Sequence, residues 1–157
     1  MFAAVVGSGP ALAQLTIQPG DLPALFPGVE IKPSEPNPGW MVLETFREPE
    51  VSITPGRVRA QMTWNGIDDD EWPFTRIVDV LLGKACGPVR SGWTSAQQDR
   101  LYASRSVTRE RNMGGNAGTS FSKRISASVG RCRVDLAAQG ARWHGIEATI
   151  VPLAVKR

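Results

Sequence analysis

The sequence has few of the side chains on which metal binding and nucleophilic catalysis usually depend. Its 157 residues include one histidine and two cysteines. The cysteines do not form a C-x-x-C motif, and two cysteines with one histidine do not complete a zinc site. No G-x-S-x-G nucleophile motif occurs. We therefore expect no metal and no cofactor, and a non-enzymatic protein is favoured over an enzyme.

Long apolar runs are also missing. None approaches the roughly 20 residues of a membrane span, so no transmembrane segment is expected.

Residues 1–13 are mainly apolar and end in Ala11-Leu12-Ala13, the small-x-small pattern that precedes a signal-peptidase cut. We interpret residues 1–13 as a signal-peptide remnant that lacks the usual positively charged start, and residues 14–157 as one periplasmic or secreted domain. The alternative is an apolar N-terminus of an ordinary domain.

The two cysteines are Cys86 and Cys132. In an exported protein, an isolated pair of cysteines predicts a disulfide, because the compartment is oxidising. In a cytosolic protein the same residues would be two buried free thiols. The export interpretation favours the disulfide.

One main helix is predicted over residues 72–86. An acidic run at residues 68–71 suits the positive end of a helix dipole, and Gly87-Pro88 is a usual stop signal. The apolar residues recur at helical spacing and fall on one face, so this face must pack against another element. They are Phe74, Ile77, Val78, Leu81, Leu82 and Ala85.

The N-terminal third is rich in proline. Residues 15–55 contain eight prolines, which exclude long helices and central strands. We expect an ordered segment that wraps around the domain, with short strands at residues 15–17 and 40–46. Residues 57–64 alternate apolar and polar side chains and predict a longer strand.

In the C-terminal half, side chains of different character alternate along the chain at residues 105–111, 119–136 and 141–150, which is the pattern of β-strands. A glycine-rich connection at residues 112–118 predicts a hairpin, and a bulge at Gly130 would explain a change of phase. The last strand is expected at a sheet edge because Pro152 follows it. A weak helix is expected at residues 95–103. Together these elements predict an α+β fold, in which an antiparallel C-terminal meander is packed by the main helix.

Charge is distributed unevenly along the chain. Residues 1–73 carry four Lys/Arg and ten Asp/Glu, whereas residues 74–157 carry fourteen Lys/Arg and five Asp/Glu. One explanation is that an acidic segment packs beside a basic one. The other is a basic surface for an anionic partner, such as an envelope component or an acidic protein.

Arginine is favoured over lysine in the predicted meander, and its planar guanidinium binds phosphate and carboxylate in a bidentate manner. An ordinary solvated sheet face would also be rich in charge. Few aromatic residues alternate with these arginines, so nucleic acid is poorly supported as a partner. The candidate binding residues are Arg105, Arg109, Arg111, Arg124, Arg131 and Arg133.

Two functional hypotheses follow from these patterns. The first is a small exported bacterial protein, not an enzyme, that binds an anionic envelope or macromolecular partner through an arginine-rich sheet face. The alternative is a small exported hydrolase that uses His144, the only histidine. No complete catalytic set is predicted, and the oligomeric state cannot be deduced from these patterns.

Overall fold

The computed structural model describes residues 14–45, 47–64, 73–103, 121–140 and 144–153. The strands are β1 (Ile31–Pro33), β2 (Met41–Leu43), β3 (Glu50–Thr54), β4 (Arg57–Trp64), β5 (Phe121–Val129), β6 (Cys132–Gly140) and β7 (His144–Pro152). The α-helices are α1 (Leu22–Leu25), α2 (Phe74–Ala85) and α3 (Trp93–Ala103), and a 3₁₀ turn at Pro19–Asp21 precedes α1. The α+β class and the strand predicted at residues 57–64 are confirmed.

All seven strands form one antiparallel sheet in the order β1-β2-β3-β4-β7-β6-β5. The last three strands form the predicted C-terminal meander, and β7 joins it to β4. The prediction of an edge position for β7 is therefore wrong, since β7 lies between β4 and β6. Pro152 is tolerated because it occupies the last register position of the β6–β7 ladder, opposite Cys132.

The change of phase at Gly130 comes from a turn and not from a bulge. Gly130 and Arg131 connect β5 to β6, and Val129 pairs with Cys132 across this two-residue connection. Residues 119–136 are thus not one strand, as the alternation suggested. Strand β6 continues through Gly140. The strand predicted at residues 105–111 and the connection at 112–118 lie outside the described residues.

Helix α2 buries the face that its periodicity predicts. All six apolar residues named above for this helix are buried. Each large apolar side chain that becomes fully buried contributes roughly 1.5–3 kcal/mol, so this face anchors the helix to the sheet. Pro73 is the N-cap residue, just before the first turn.

The proline-rich N-terminal segment lies against the core. Leu15, Ile17, Leu22 and Phe26 are buried, although residues 15–17 do not form the predicted strand. The Thr16 hydroxyl donates a hydrogen bond to the Lys84 carbonyl oxygen at 3.0 Å. Because the last carbonyl groups of a helix have no partner within the helix, this contact joins the segment to the end of α2.

The predicted disulfide between Cys86 and Cys132 is formed, with 5.5 Å between the two Cα atoms. It connects the end of α2 to the first residue of β6. The Arg131 backbone N–H also donates to the Cys86 carbonyl oxygen at 3.1 Å. The helix end and the β5–β6 turn are therefore held together by a covalent bond and a hydrogen bond.

Asp79 of α2 caps the N-terminus of α3. Its carboxylate accepts hydrogen bonds from the Thr94 backbone N–H at 3.0 Å, from the Thr94 hydroxyl, and from the Gly92 N–H at 3.2 Å. Helix α3 starts at Trp93, slightly earlier than predicted. The group that caps α3 thus comes from the neighbouring helix α2 and not from α3 itself.

We expect Asp79→Ala to lower the free energy of unfolding by about 1–2 kcal/mol, because N–H groups at the start of α3 lose their acceptor. Urea denaturation measures this loss. Asp99→Ala is the matched control, since Asp99 is exposed near the end of α3, and it should change stability by less than about 0.5 kcal/mol. Equal effects of the two substitutions would show that Asp79 acts through its charge alone.

Candidate binding surface

The two faces of the sheet differ in chemistry. In β4, Val58, Ala60 and Met62 are buried in the core, while the residues that alternate with them point to the opposite face. We call this opposite face, formed by the polar positions of β3 to β7, the open face. The register places its side chains in rows across the strands, so residues far apart in the sequence become neighbours.

Arginines from separate strands meet at one end of the open face. Arg57 directly precedes Val58, the partner of Ile150 in β7, and Arg133 in β6 pairs with the adjacent Val151, so Arg57 and Arg133 lie at the same end of the open face. Two strand spacings separate them, or about 10 Å between their backbones. Arg59 lies one row further along, and Arg131 lies in the β5–β6 turn at the same end. We call Arg57, Arg59, Arg131 and Arg133 the arginine corner.

Two arginines of the corner have carboxylate partners. Arg59 Nε donates to Glu147 Oε2 at 3.0 Å, and its guanidinium carbon lies 5.0 Å from the centre of the Trp40 ring. Arg133 contacts Asp135 at 3.2 Å. Among the described residues, Arg57 and Arg131 have no carboxylate within 4.0 Å. The corner therefore has a positive surplus, and its ion pairs are exposed enough to be weak.

A polar groove of about 510 Å³ lies toward the other end of the open face. Small residues form its floor, notably Ala137 and Gly145, which pair with Glu147 and Gln139 on the adjoining strands. A Cβ added at Gly145 would have its nearest neighbour, the Gln139 carbonyl oxygen, at 3.9 Å, so the space above the floor is open. The groove exists because Ala137 and Gly145 have small side chains, whereas the neighbouring positions of the open face carry long polar ones.

Two arginines line this groove. Arg124 projects from β5, and Arg47 comes from the loop before β3, with its guanidinium nitrogens buried. The next residue, Glu48, has a φ of 46°, a left-handed conformation that a residue with a side chain rarely adopts. Such strain costs about 1 kcal/mol or more and is often found at functional sites.

Glu50 on the open face is held by neutral donors. Its Oε1 accepts from Asn37 Nδ2 at 2.7 Å and from Gln61 Nε2 at 2.8 Å, and its Oε2 accepts from the Ser34 hydroxyl at 2.8 Å. The hydrogen bonds from Ser34 and Asn37 fix their loop against the sheet, and the one from Gln61 joins β4 to β3. Glu50 therefore has a structural role at the groove wall.

The structure separates the six arginines predicted to bind a partner. Arg124 lines the groove, whereas Arg131 and Arg133 belong to the arginine corner. The other three, Arg105, Arg109 and Arg111, lie outside the described residues. Sequence reasoning missed Arg57 and Arg59, although alternation in residues 57–64 placed both opposite the core positions. Only the pairing of β4 with β7 brings them beside Arg133.

His144 is the first residue of β7, and its backbone pairs with Trp64 and Gly140. Its side chain is not among those that the structure describes. Within the described ranges, no group of three or more His, Cys, Asp or Glu residues is placed to hold a metal ion. The described helices include none with the length and apolar content of a membrane span.

Comparisons with protein-family models, curated proteins and solved structures gave no match.

Proposed function

We propose that this chain is an exported bacterial binding protein that acts without catalysis and recognises an anionic envelope or macromolecular partner through the open face. The observation that carries the proposal is the arginine corner, in which β4 and the β5–β6 hairpin bring four arginines together. Two of the four have no carboxylate partner among the described residues. A guanidinium group binds phosphate, sulfate or carboxylate oxygens in a bidentate manner.

The disulfide supports the export part of this proposal. Disulfides persist in oxidising compartments and are rare in the bacterial cytosol. Cys86 and Cys132 are both buried, which suits a structural bridge better than a reactive redox pair.

Export is tested by the intact mass of the protein after cell fractionation. We expect a chain that begins at Gln14, occurs in the periplasm or medium, and is lighter than its reduced form by two hydrogen atoms. A cytosolic chain that retains residues 1–13 and has two alkylatable thiols would refute export.

Anion binding is tested by removing arginines from the open face. We expect the triple variant Arg57→Gln, Arg124→Gln and Arg133→Gln to bind heparin and phosphatidylglycerol-containing vesicles at least tenfold more weakly at low salt. Ten-fold corresponds to about 1.4 kcal/mol, and exposed charges act most strongly when salt screening is small.

The matched control removes three cations from the helices and their connection, with Lys84→Gln, Arg90→Gln and Arg100→Gln. These residues are exposed and lie away from the open face. Both triple variants lose the same net charge, so a difference in binding affinity between them shows that the position of the removed charges on the protein matters. Equal weakening by both would mean that net charge alone causes retention and would contradict a specific surface.

A further inference from the structure

The open face combines two features that a single small anion would not use together. The groove floor extends from the row of Gln61 and Ala137 to the row of Thr63 and Gly145, whereas the arginine corner starts at Arg57. Arg57 precedes these two rows by four and six residues along β4, which is about 13 to 20 Å at roughly 3.3 Å per residue. A ligand that contacts both features must be extended.

The groove offers neutral hydrogen-bonding groups as well as charges of both signs, and its carboxylates are those of Glu48, Glu50 and Glu147. Thr63, Ser122 and Gln139 line it and are exposed. Amides and hydroxyls both donate and accept hydrogen bonds, as sugar hydroxyls do. The guanidinium of Arg124 adds several donors in a fixed plane. This lining suits a polar ring with many hydroxyl groups.

A second hollow, of about 360 Å³, lies at the arginine corner. Arg57 and Arg59 line it together with Ser52 and Thr54. The Thr54 hydroxyl donates to the Arg57 carbonyl oxygen at 3.1 Å, which fixes the start of β4 beside this hollow. The two guanidinium groups and the Ser52 hydroxyl beside them can donate hydrogen bonds to the oxygen atoms of a carboxylate, sulfate or phosphate.

We propose that the open face binds a linear anionic polysaccharide, with a sugar unit in the groove and acidic groups of following units on the arginine corner. This inference rests on the proposed function and names its partner class. Single-stranded nucleic acid fits less well, because bases stack on exposed aromatic rings. On the described part of the open face, the Trp40 ring is covered by Arg59.

The test measures affinity for heparin-derived oligosaccharides from disaccharide to dodecasaccharide by calorimetry. We expect affinity to rise with length until the chain spans both features and then to level off. Ala137→Leu fills the groove floor without changing charge, and we expect it to weaken binding of the dodecasaccharide at least tenfold. Arg57→Gln should reduce the increase in affinity with oligosaccharide length, whereas Arg90→Gln should bind each oligosaccharide as the unaltered protein does.

The outcomes separate this inference from the proposed function. Binding to phosphatidylglycerol vesicles with no dependence on oligosaccharide length would overturn the inference alone. A single-stranded oligonucleotide or a neutral dextran that binds as tightly as the dodecasaccharide would also overturn it. Failure of the protein to bind vesicles and every anionic oligosaccharide would overturn both proposals. Melting temperature confirms that Ala137→Leu remains folded.

Discussion

Replacement of Cys86 and Cys132 together by alanine is expected to lower the free energy of unfolding by about 4 kcal/mol. The disulfide joins residues 46 positions apart. In the chain-entropy model, a loop of this length restricts the unfolded chain by about that amount. The bridge also joins α2 to β6, elements that are otherwise held together by packing. The folded state should persist, because the buried face of α2 does not depend on the bridge.

Urea denaturation of the double variant and of the unaltered protein, with and without reductant, measures this effect. The reduced protein should match the double variant closely, since both lack the covalent bond. A loss below about 1 kcal/mol would contradict the assignment of the disulfide as a main source of stability.

Gly130→Ala is expected to be the most destabilising single substitution in the β5–β6 turn, with a loss of about 2–4 kcal/mol. A Cβ at this position would lie 2.4 Å from the Cys86 carbonyl oxygen and 3.2 Å from the Cys86 carbonyl carbon. These are backbone atoms, so relief requires the turn to move away from the end of α2. The φ of 55° adds strain for a residue with a side chain.

Gly83→Ala is the matched control, because Gly83 is exposed in α2 and an added Cβ has nothing within 4 Å. This substitution should raise stability by about 0.5–1 kcal/mol, since alanine favours the helix. Thermal or urea denaturation compares the two variants. If both glycine substitutions changed stability in the same direction, the close approach of Gly130 to Cys86 would be refuted.

Local patterns predicted the elements whose signal is periodic and short-range. The buried face of α2 and the extent of β4 follow from spacing along the chain, and both are confirmed. The change at Gly130 in which residues face the core was also visible in the sequence. A bulge and a two-residue turn both shift this alternation, so the sequence pattern did not distinguish them. The edge position predicted for β7 failed because Pro152 marks only a strand end, whereas strand order depends on long-range pairing.

The candidate surface was only partly predictable for the same reason. Arg124, Arg131 and Arg133 could be identified from their density in the C-terminal half. Arg57 and Arg59 join them only through the β4–β7 ladder, which connects segments about 90 positions apart. The groove depends on where Ala137 and Gly145 fall in the register, and a small residue in a strand carries no such signal by itself.

The measurement that tests the central claim most directly is NMR of the arginine Nε–H groups during titration with heparin dodecasaccharide. We predict that the signals of Arg57, Arg124 and Arg133 shift together, because the open face carries the binding site. The signals of Arg90 and Arg100, on the helical side, should stay in place. Shifts confined to Arg90 and Arg100, or equal shifts of all five, would contradict the assignment of the open face as the anion-binding surface.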